Sequence, residues 1–235
     1  MKKENLVCGS VKPEVLDEKE PNKEEKNNLT EVVFILDASG SMSGLEKDTI
    51  GGMNSILKKQ KEEEGETLVS TILFNTQSSV LHDRLDVKSI EPLSERDYMA
   101  CGCTALLDAV GDAIKHISNV HKYIRKEDVP ARTLFVITTD GMENASRRYR
   151  PNQIKEMIKR KEGEGWEFLF LGANIDVNMV AQDLGIKEDN AVEYSEREET
   201  LKMYETVNTT ISRYRKTSCI AKDWGDDVNL KKRKK

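Results

Sequence analysis

One segment of this sequence limits the possible folds more than any other. Residues 31–36 (Glu-Val-Val-Phe-Ile-Leu) form a mainly apolar run of strand length, and Asp37 follows it directly. Such a strand needs burial on both faces, which the parallel sheets of α/β proteins provide. Because open α/β sheets place their ligand sites at the carboxyl ends of strands, we expect Asp37 at a binding edge of a parallel sheet.

The loop after this strand carries oxygen donors at alternate positions. The sequence Asp37-Ala-Ser39-Gly-Ser41 offers one carboxylate and two hydroxyls. Hard oxygen donors spaced in this way suit a small divalent cation that keeps part of its water, as Mg²⁺ does. Taken alone, the loop has a second interpretation, in which Asp37 caps the following helix and the serines and glycines only form a turn.

The rest of the chain alternates strands with helices. Predicted strands cover residues 31–37, 67–75, 79–85, 132–140, 166–172 and 192–194, of which 79–85 is a short, polar edge strand. Predicted helices cover residues 44–63, 106–117, 151–161, 176–184 and 195–214. This order predicts an α/β fold: a Rossmann-like, doubly wound, mainly parallel sheet of about six strands with helices on both faces.

A second apolar strand repeats the design of the first and ends in Asp140-Gly141. Because the carboxyl ends of parallel strands meet at one edge of a sheet, Asp37 and Asp140 are expected to lie close together. A later helix begins near Thr104 and points to the same edge. Two carboxylates and three hydroxyls would then surround one point, which describes a hard-cation site and not a zinc site. These five residues are Asp37, Ser39, Ser41, Thr104 and Asp140. Glu143 and Asn144 are expected to orient the neighbouring loop.

Composition and charge exclude several other classes of protein. A chain of 235 residues can hold one sizeable α/β domain, and a net charge of −5 with mixed signs provides no basic field for nucleic acid. No stretch approaches the roughly 20 apolar residues of a membrane span, and no targeting segment is convincing, so we expect a cytoplasmic protein. Cys101-Gly-Cys103 is more simply two small residues of a packed loop than a redox or metal pair.

The two ends of the chain are expected to lie outside the domain. Residues 1–28 are rich in Lys, Glu, Asn and Pro, which predicts a disordered, charged arm. The domain would cover residues 29–216, and residues 217–235 would form a polar, lysine-rich tail.

The ordered motifs resemble the von Willebrand factor A (vWA) domain. The metal-ion-dependent adhesion site of that family has a D-x-S-x-S loop, a distant threonine and a distant aspartate. Residues 37–41 match the loop, Thr104 lies in a segment similar to the family's G-x-T-x-L, and Asp140 lies in Thr-Thr-Asp-Gly. The resemblance covers about residues 30–214, and the segments 139–144 and 170–176 resemble stand-alone bacterial members of the family that are intracellular.

The resemblance implies a function and a role for each ligand. Ser39 and Ser41 would bind the cation directly, Thr104 directly or through water, and Asp37 and Asp140 largely through bound waters. The cation would be Mg²⁺, with Mn²⁺ or Ca²⁺ as alternatives, and a Glu or Asp of a partner protein would take an open coordination position. We therefore expect a monomeric protein-binding module that binds neither nucleic acid nor membrane and is not an enzyme.

A metal-dependent, phosphatase-like hydrolase that uses the same strand end is the alternative. A strand ending in aspartate can open a haloacid-dehalogenase phosphatase, but that chemistry needs a second aspartate two residues later, where Ser39 stands. The sequence also contains no G-x-S-x-G elbow, P-loop or G-x-G-x-x-G loop, and none of its three histidines is well placed as a base.

Overall fold

The computed structural model describes residues 28–194, 197–226 and 228. Its strands are β1 (Thr30–Asp37), β2 (Thr67–Phe74), β3 (Ser78–Asp86), β4 (Arg132–Thr139), β5 (Trp166–Gly172) and β6 (Ala191–Glu193). They form one sheet in the order β3-β2-β1-β4-β5-β6. All neighbouring pairs are parallel except β2 and β3, which are antiparallel.

Helices cover both faces of this sheet. They are α1 (Glu46–Glu62), α2 (Leu106–Tyr123), α3 (Pro151–Gly163), α4 (Val177–Leu184) and α5 (Arg197–Thr217). Side chains of β1 alternate between the two cores: Phe34 packs on the side of α1 and α5, and Ile35 on the side of α2, α3 and α4. The predicted α/β class, with a mainly parallel sheet between two helical layers, is confirmed.

The antiparallel edge strand differs in length from its prediction. β3 extends one residue beyond the predicted 79–85 at each end. Its pairing with β2 continues past an irregularity near Arg84, whose φ of 51° lies in the left-handed region. The guanidinium of Arg84 donates to the fully buried carboxylate of Glu31 over 2.6 Å, which holds this end of the strand against β1 and lets pairing resume at Leu85.

The chain after α5 packs against the domain. Trp224 and Val228 are 8% and 5% exposed and belong to the core on the α1 and α5 side. The indole N–H of Trp224 donates to the carbonyl of Asp189 over 2.7 Å. Sequence analysis placed this stretch in a polar tail, and these two apolar side chains of it pack in the core.

The predicted division into arm, domain and tail stays a prediction. Residues 1–27, 195–196, 227 and 229–235 lie outside the described residues. Among the helices that the structure describes, none is long and apolar enough to cross a membrane.

Candidate metal centre

The centre of the sheet places two aspartates side by side. β1 and β4 are adjacent and parallel, with Leu36 paired to Thr138. Asp37 ends β1 and Asp140 follows β4 directly. The chain leaves β1 for β2 on one side and leaves β4 for β5 on the other, so the crevice between their carboxyl ends is where open α/β sheets bind ligands.

The side chain of Asp37 shapes the loop after β1. This carboxylate is fully buried, and its Oδ1 accepts the backbone N–H of Ser39 over 2.7 Å. An aspartate that binds the backbone two residues later bends the chain into an Asx turn. The bend brings the hydroxyls of Ser39 and Ser41 within 3.0 Å of each other. The hydroxyl of Thr139 donates to Oδ2 of Asp37 over 2.6 Å, which orients the carboxylate across two strands.

A second segment is held against this loop by its backbone. The N–H of Cys101 donates to the carbonyl of Ala38 over 2.9 Å, and the carbonyl of Gly102 accepts the N–H of Gly40 over 3.0 Å. The same segment continues into Thr104, which is 3% exposed. These two hydrogen bonds therefore place Thr104 next to the loop that contains Ser39 and Ser41.

Gly141 reveals that the three hydroxyls converge. A Cβ atom built on Gly141 would lie 3.0 Å from both Ser41 Oγ and Thr104 Oγ1, and 3.8 Å from Ser39 Oγ. Three hydroxyl oxygens from two separate loops thus face one point beside the backbone that follows Asp140. Glycine suits this position because a side chain would crowd the oxygens.

Asp140 completes the group as a buried carboxylate. It is 7% exposed, and its Oδ1 accepts the side-chain amide of Asn174 over 2.8 Å. Burial raises the pKa of Asp140, and the charge of Asp37 raises this pKa further, while the hydrogen bond from Asn174 offsets part of the effect. A buried carboxylate whose charged form is disfavoured, next to a second buried carboxylate, is a suitable environment for a cation.

The neighbouring polar side chains orient the loops. The side-chain oxygen of Asn144 accepts the N–H of Thr104 over 3.0 Å, and Glu143 Oε2 accepts the N–H of Leu107 over 2.9 Å. Both side chains thereby hold Thr104 and the first turn of α2.

Three supporting residues were missed by sequence reasoning. Thr139 orients Asp37, Asn174 holds Asp140, and the hydroxyl of the buried Tyr98 donates to the carbonyl of Asp37. Asn174 has a φ of 55°, a left-handed conformation that asparagine adopts more readily than most residues. Its place in a turn after a buried strand was the available signal, but only the fold shows which carboxylate it reaches.

The donor set fits a hard divalent cation. The five side chains offer hydroxyl and carboxylate oxygens, which Mg²⁺, Mn²⁺ and Ca²⁺ prefer to thiolate or imidazole. Among the described residues, no group of three or more His, Cys, Asp or Glu side chains converges. Hydroxyl groups thus belong to three of the five candidate side chains at this edge.

Solved structures match this architecture throughout the domain. The vWF domain of the type V pili tip protein Mfa5 from Porphyromonas gingivalis superposes with a TM-score of 0.57 at 11% identity, over 78% of this chain and 95% of that chain. Manganese-loaded TRAP protein from Plasmodium vivax gives a TM-score of 0.53 at 15% identity, over 75% and 72% of the two chains. The chain has the fold of a von Willebrand factor A domain.

A further structural match is a longer protein that holds a metal ion. Proximal thread matrix protein 1 from the mussel byssus, with a zinc-occupied MIDAS motif, gives a TM-score of 0.52 at 14% identity over 78% of this chain. The present chain covers 46% of that protein. No protein-family model and no curated protein sequence matches this chain.

Proposed function

We propose that this chain is a divalent-cation-dependent protein-binding module that engages an acidic residue of a partner protein. The observation that carries the proposal is the convergence of three hydroxyls, from Ser39, Ser41 and Thr104, beside two buried carboxylates. The vWA fold of the chain and the metal-loaded structures that share this fold support it.

The side chains of the candidate site differ in exposure and in hydrogen bonding. Ser41 is exposed while Ser39 and Thr104 are buried, so the hydroxyls line the site from its mouth inward. Asp37 accepts two hydrogen bonds and Asp140 accepts one from Asn174. The resemblance to the vWA family implies that both carboxylates bind the cation largely through water. When bound, a divalent cation, Mg²⁺ in this proposal, supplies a Lewis-acidic centre that attracts an outside carboxylate.

Metal binding is testable on the purified protein. A ligand present at 100 times its dissociation constant stabilises the folded state by about 2.7 kcal/mol. We expect Mg²⁺ and Mn²⁺ to raise the unfolding temperature of the wild-type protein relative to EDTA. Ser41→Ala should remove most of this increase while changing metal-free stability by less than about 0.5 kcal/mol, because Ser41 is an exposed side chain.

The same loop contains a matched control. Ser43 is also exposed and lies two residues after Ser41, but it is not among the side chains that converge near Gly141. Ser43→Ala should keep the full response to Mg²⁺. An equal response in both variants, or none in the wild-type protein, would reject the metal site.

Partner binding needs its own comparison. Proteins captured from a native lysate by the wild-type chain should depend on Mg²⁺, be lost in EDTA and be lost with Ser41→Ala but not with Ser43→Ala. Neutralising the acidic residues of a captured protein should abolish its binding. If the same proteins are captured in EDTA and by the Ser41→Ala variant, the proposed mode of binding is wrong.

A further inference from the structure

An asparagine from a third strand end reaches the candidate metal centre. Asn174 lies in the turn between β5 and α4, and its side-chain amide donates to Oδ1 of Asp140 over 2.8 Å. β5 is parallel to β4, with Thr139 paired to Gly172, so this turn leaves the sheet next to Asp140. The side chain of Asn174 is therefore part of the same edge, although it is not one of the five candidate ligands.

The turn that carries Asn174 is held by its neighbours on both sides. Ala173 is buried, and its N–H continues the pairing with β4 over 3.0 Å. Ile175 and Val177 are buried as well, and a Cβ built on Gly172 would lie 2.9 Å from the first and 2.5 Å from the second. These contacts fix the course of the turn without using the side chain of Asn174.

The backbone at this position limits which residues can stand there. Asn174 is exposed, and its φ of 55° lies in the left-handed region, which glycine adopts without strain and asparagine more readily than most residues. Glycine would therefore meet the requirement of the backbone. What asparagine adds is a side-chain amide, and this amide binds the carboxylate of Asp140.

A hydrogen bond of this kind changes how a carboxylate can serve a cation. Such outer partners orient the carboxylates of metal sites. Mg²⁺ requires near-ideal octahedral geometry at about 2.0–2.1 Å, whereas Ca²⁺ accepts six to eight oxygens at roughly 2.3–2.6 Å, often with both oxygens of one carboxylate. Because Oδ1 of Asp140 already has a partner, this carboxylate is less free to turn both oxygens toward a large cation.

We propose that Asn174 is a positioning residue that makes the centre selective for Mg²⁺ over Ca²⁺, by holding Asp140 in one orientation with one oxygen occupied. A fixed carboxylate favours the cation with the stricter geometry. A released carboxylate can adjust to the larger cation and offer it a second oxygen. This inference rests on the proposed function, since it requires that the centre binds a divalent cation.

Asn174→Gly tests the selectivity in the full-length protein. Glycine keeps the left-handed backbone and removes the amide. Calorimetric titrations with Mg²⁺ alone and with Ca²⁺ alone give the two dissociation constants. We expect the affinity for Mg²⁺ to fall about tenfold and the affinity for Ca²⁺ to change less than about threefold. An equal loss for both cations, or no loss for either, would reject the role of Asn174 in selectivity.

Asn174→Asp changes the charge while it keeps the size of the side chain. The donor on Asp140 is replaced by a third anionic group, and the affinity of oxygen sites for Ca²⁺ rises with the number of charged ligands. The variant should bind Ca²⁺ about tenfold more tightly than the wild-type protein and prefer it to Mg²⁺. A variant that keeps the wild-type ratio of the two dissociation constants would overturn the inference.

Ser218 provides a matched control for the backbone. It is exposed, its φ is 58°, and its hydroxyl accepts the Nε–H of Arg132 over 2.6 Å. Arg132 is the first residue of β4 and Asp140 follows the last, so the two sites lie at opposite ends of this strand. Ser218→Gly should keep the wild-type dissociation constants for both cations. A shift like that of Asn174→Gly would show that the backbone, and not the amide, sets the ratio.

The hydrogen bond itself is tested without metal by a double-mutant cycle. In EDTA, Asn174→Gly should lower the folding equilibrium constant about tenfold more in the wild-type background than in Asp140→Ala, because the amide then has no carboxylate to bind. Equal effects in both backgrounds would overturn the inference.

The two experiments also separate this inference from the proposed function. If the wild-type protein binds neither cation, the proposed function and the selectivity of Asn174 are both wrong, whatever the cycle in EDTA shows. If the wild-type protein binds Mg²⁺ and Asn174→Gly has the same ratio of dissociation constants, the proposed function stands and the role of Asn174 is rejected.

Discussion

At the scale of single residues, the decisive feature is a pair of buried aspartates. Asp37 and Asp140 end adjacent strands and are 0% and 7% exposed. Burial and the charge of Asp37 raise the pKa of Asp140, so the ionised pair costs stability when no cation is present. A divalent cation bound between the two carboxylates would offset this cost in folding stability.

Asp140→Asn separates the stability cost of the second buried charge from the contribution of that charge to cation binding. Its side-chain oxygen can still accept the amide of Asn174, but the second negative charge is removed. We expect the free energy of unfolding in EDTA to rise by about 1 kcal/mol, and the additional stability in Mg²⁺ to disappear. Urea unfolding under both conditions measures the two changes.

Asp176→Asn is the matched control for Asp140→Asn. Asp176 caps α4 at the same edge of the sheet, where its carboxylate accepts the N–H of Met179 over 3.0 Å. Asparagine caps helices about as well as aspartate, so this variant should be nearly neutral and keep its Mg²⁺ response. If Asp140→Asn instead lowers the free energy of unfolding in EDTA, then Asp37 and Asp140 do not repel each other in the folded protein.

At the scale of elements, the carboxylate of Asp108 helps to attach α2 to the loop after β4. Asp108 is 6% exposed and accepts the N–H groups of Arg147, Arg148 and Tyr149 over 2.9–3.0 Å. Burial by itself raises the pKa of Asp108, but these donors and the guanidinium of Arg148 outweigh it, so the pKa lies below its ordinary value. This carboxylate holds the connection that follows Asp140.

The lowered pKa of Asp108 predicts a pH dependence. Its stabilisation is fully present above the unfolded pKa of about 3.9 and is lost as the pH falls through the lower folded value. We expect Asp108→Asn to lose about 2 kcal/mol of unfolding free energy at pH 6 and the difference from wild type to shrink toward pH 3. Urea unfolding across this range checks it, and a difference that is constant with pH would refute the assignment.

Two adjacent glycines of α1, near its contact with α5, are expected to respond to alanine substitution with opposite changes in stability. A Cβ on Gly52 would overlap the ring of Tyr204, whereas a Cβ on Gly51 meets nothing within 4 Å. Gly52→Ala should destabilise the domain by about 2 kcal/mol through overpacking. Gly51→Ala should stabilise it by about 0.5–1 kcal/mol, because alanine lowers the entropy of the unfolded chain.

Thermal and urea unfolding of the two glycine variants test the packing of α5. If Gly52→Ala is as stable as Gly51→Ala, then α5 does not lie against α1 at this depth. That result would also remove the structural reason for a glycine at position 52.

At the scale of the whole molecule, two described side chains of the segment after α5, Trp224 and Val228, pack in the core. Trp224 is 8% exposed and its indole N–H is bonded to the carbonyl of Asp189. Trp224→Ala should lower the unfolding free energy by about 3 kcal/mol, since it removes a large buried side chain. Trp224→Phe keeps most of the apolar contact and should cost about 1 kcal/mol for the lost hydrogen bond.

Trp224→Ala also tests where the domain ends. If Trp224→Ala loses less than about 0.5 kcal/mol of unfolding free energy, the folded domain ends near residue 216, as the composition suggested. The Mg²⁺ response should survive in both Trp224 variants, because the tryptophan is not among the residues that surround the candidate centre.

Much of the fold could be predicted because its signals are local. An apolar run that ends in a polar residue identifies a buried strand, and helical periodicity identifies the elements between strands. The order of these elements then places Asp37, Thr104 and Asp140 at one edge, since parallel strands end together. The irregularity of β3 near Arg84 could not be predicted, because the guanidinium of Arg84 pairs with Glu31, which lies 53 positions away.

What the sequence by itself determined is therefore the class of fold and the five oxygen-bearing residues at the carboxyl edge of the sheet. The tertiary structure alone decided what supports them: Thr139 and Tyr98 on Asp37, and Asn174 on Asp140. Strand and helix patterns repeat over a few residues and can be read along the chain. Contacts between distant loops have no such period, and they exist only once the sheet has brought the loops together.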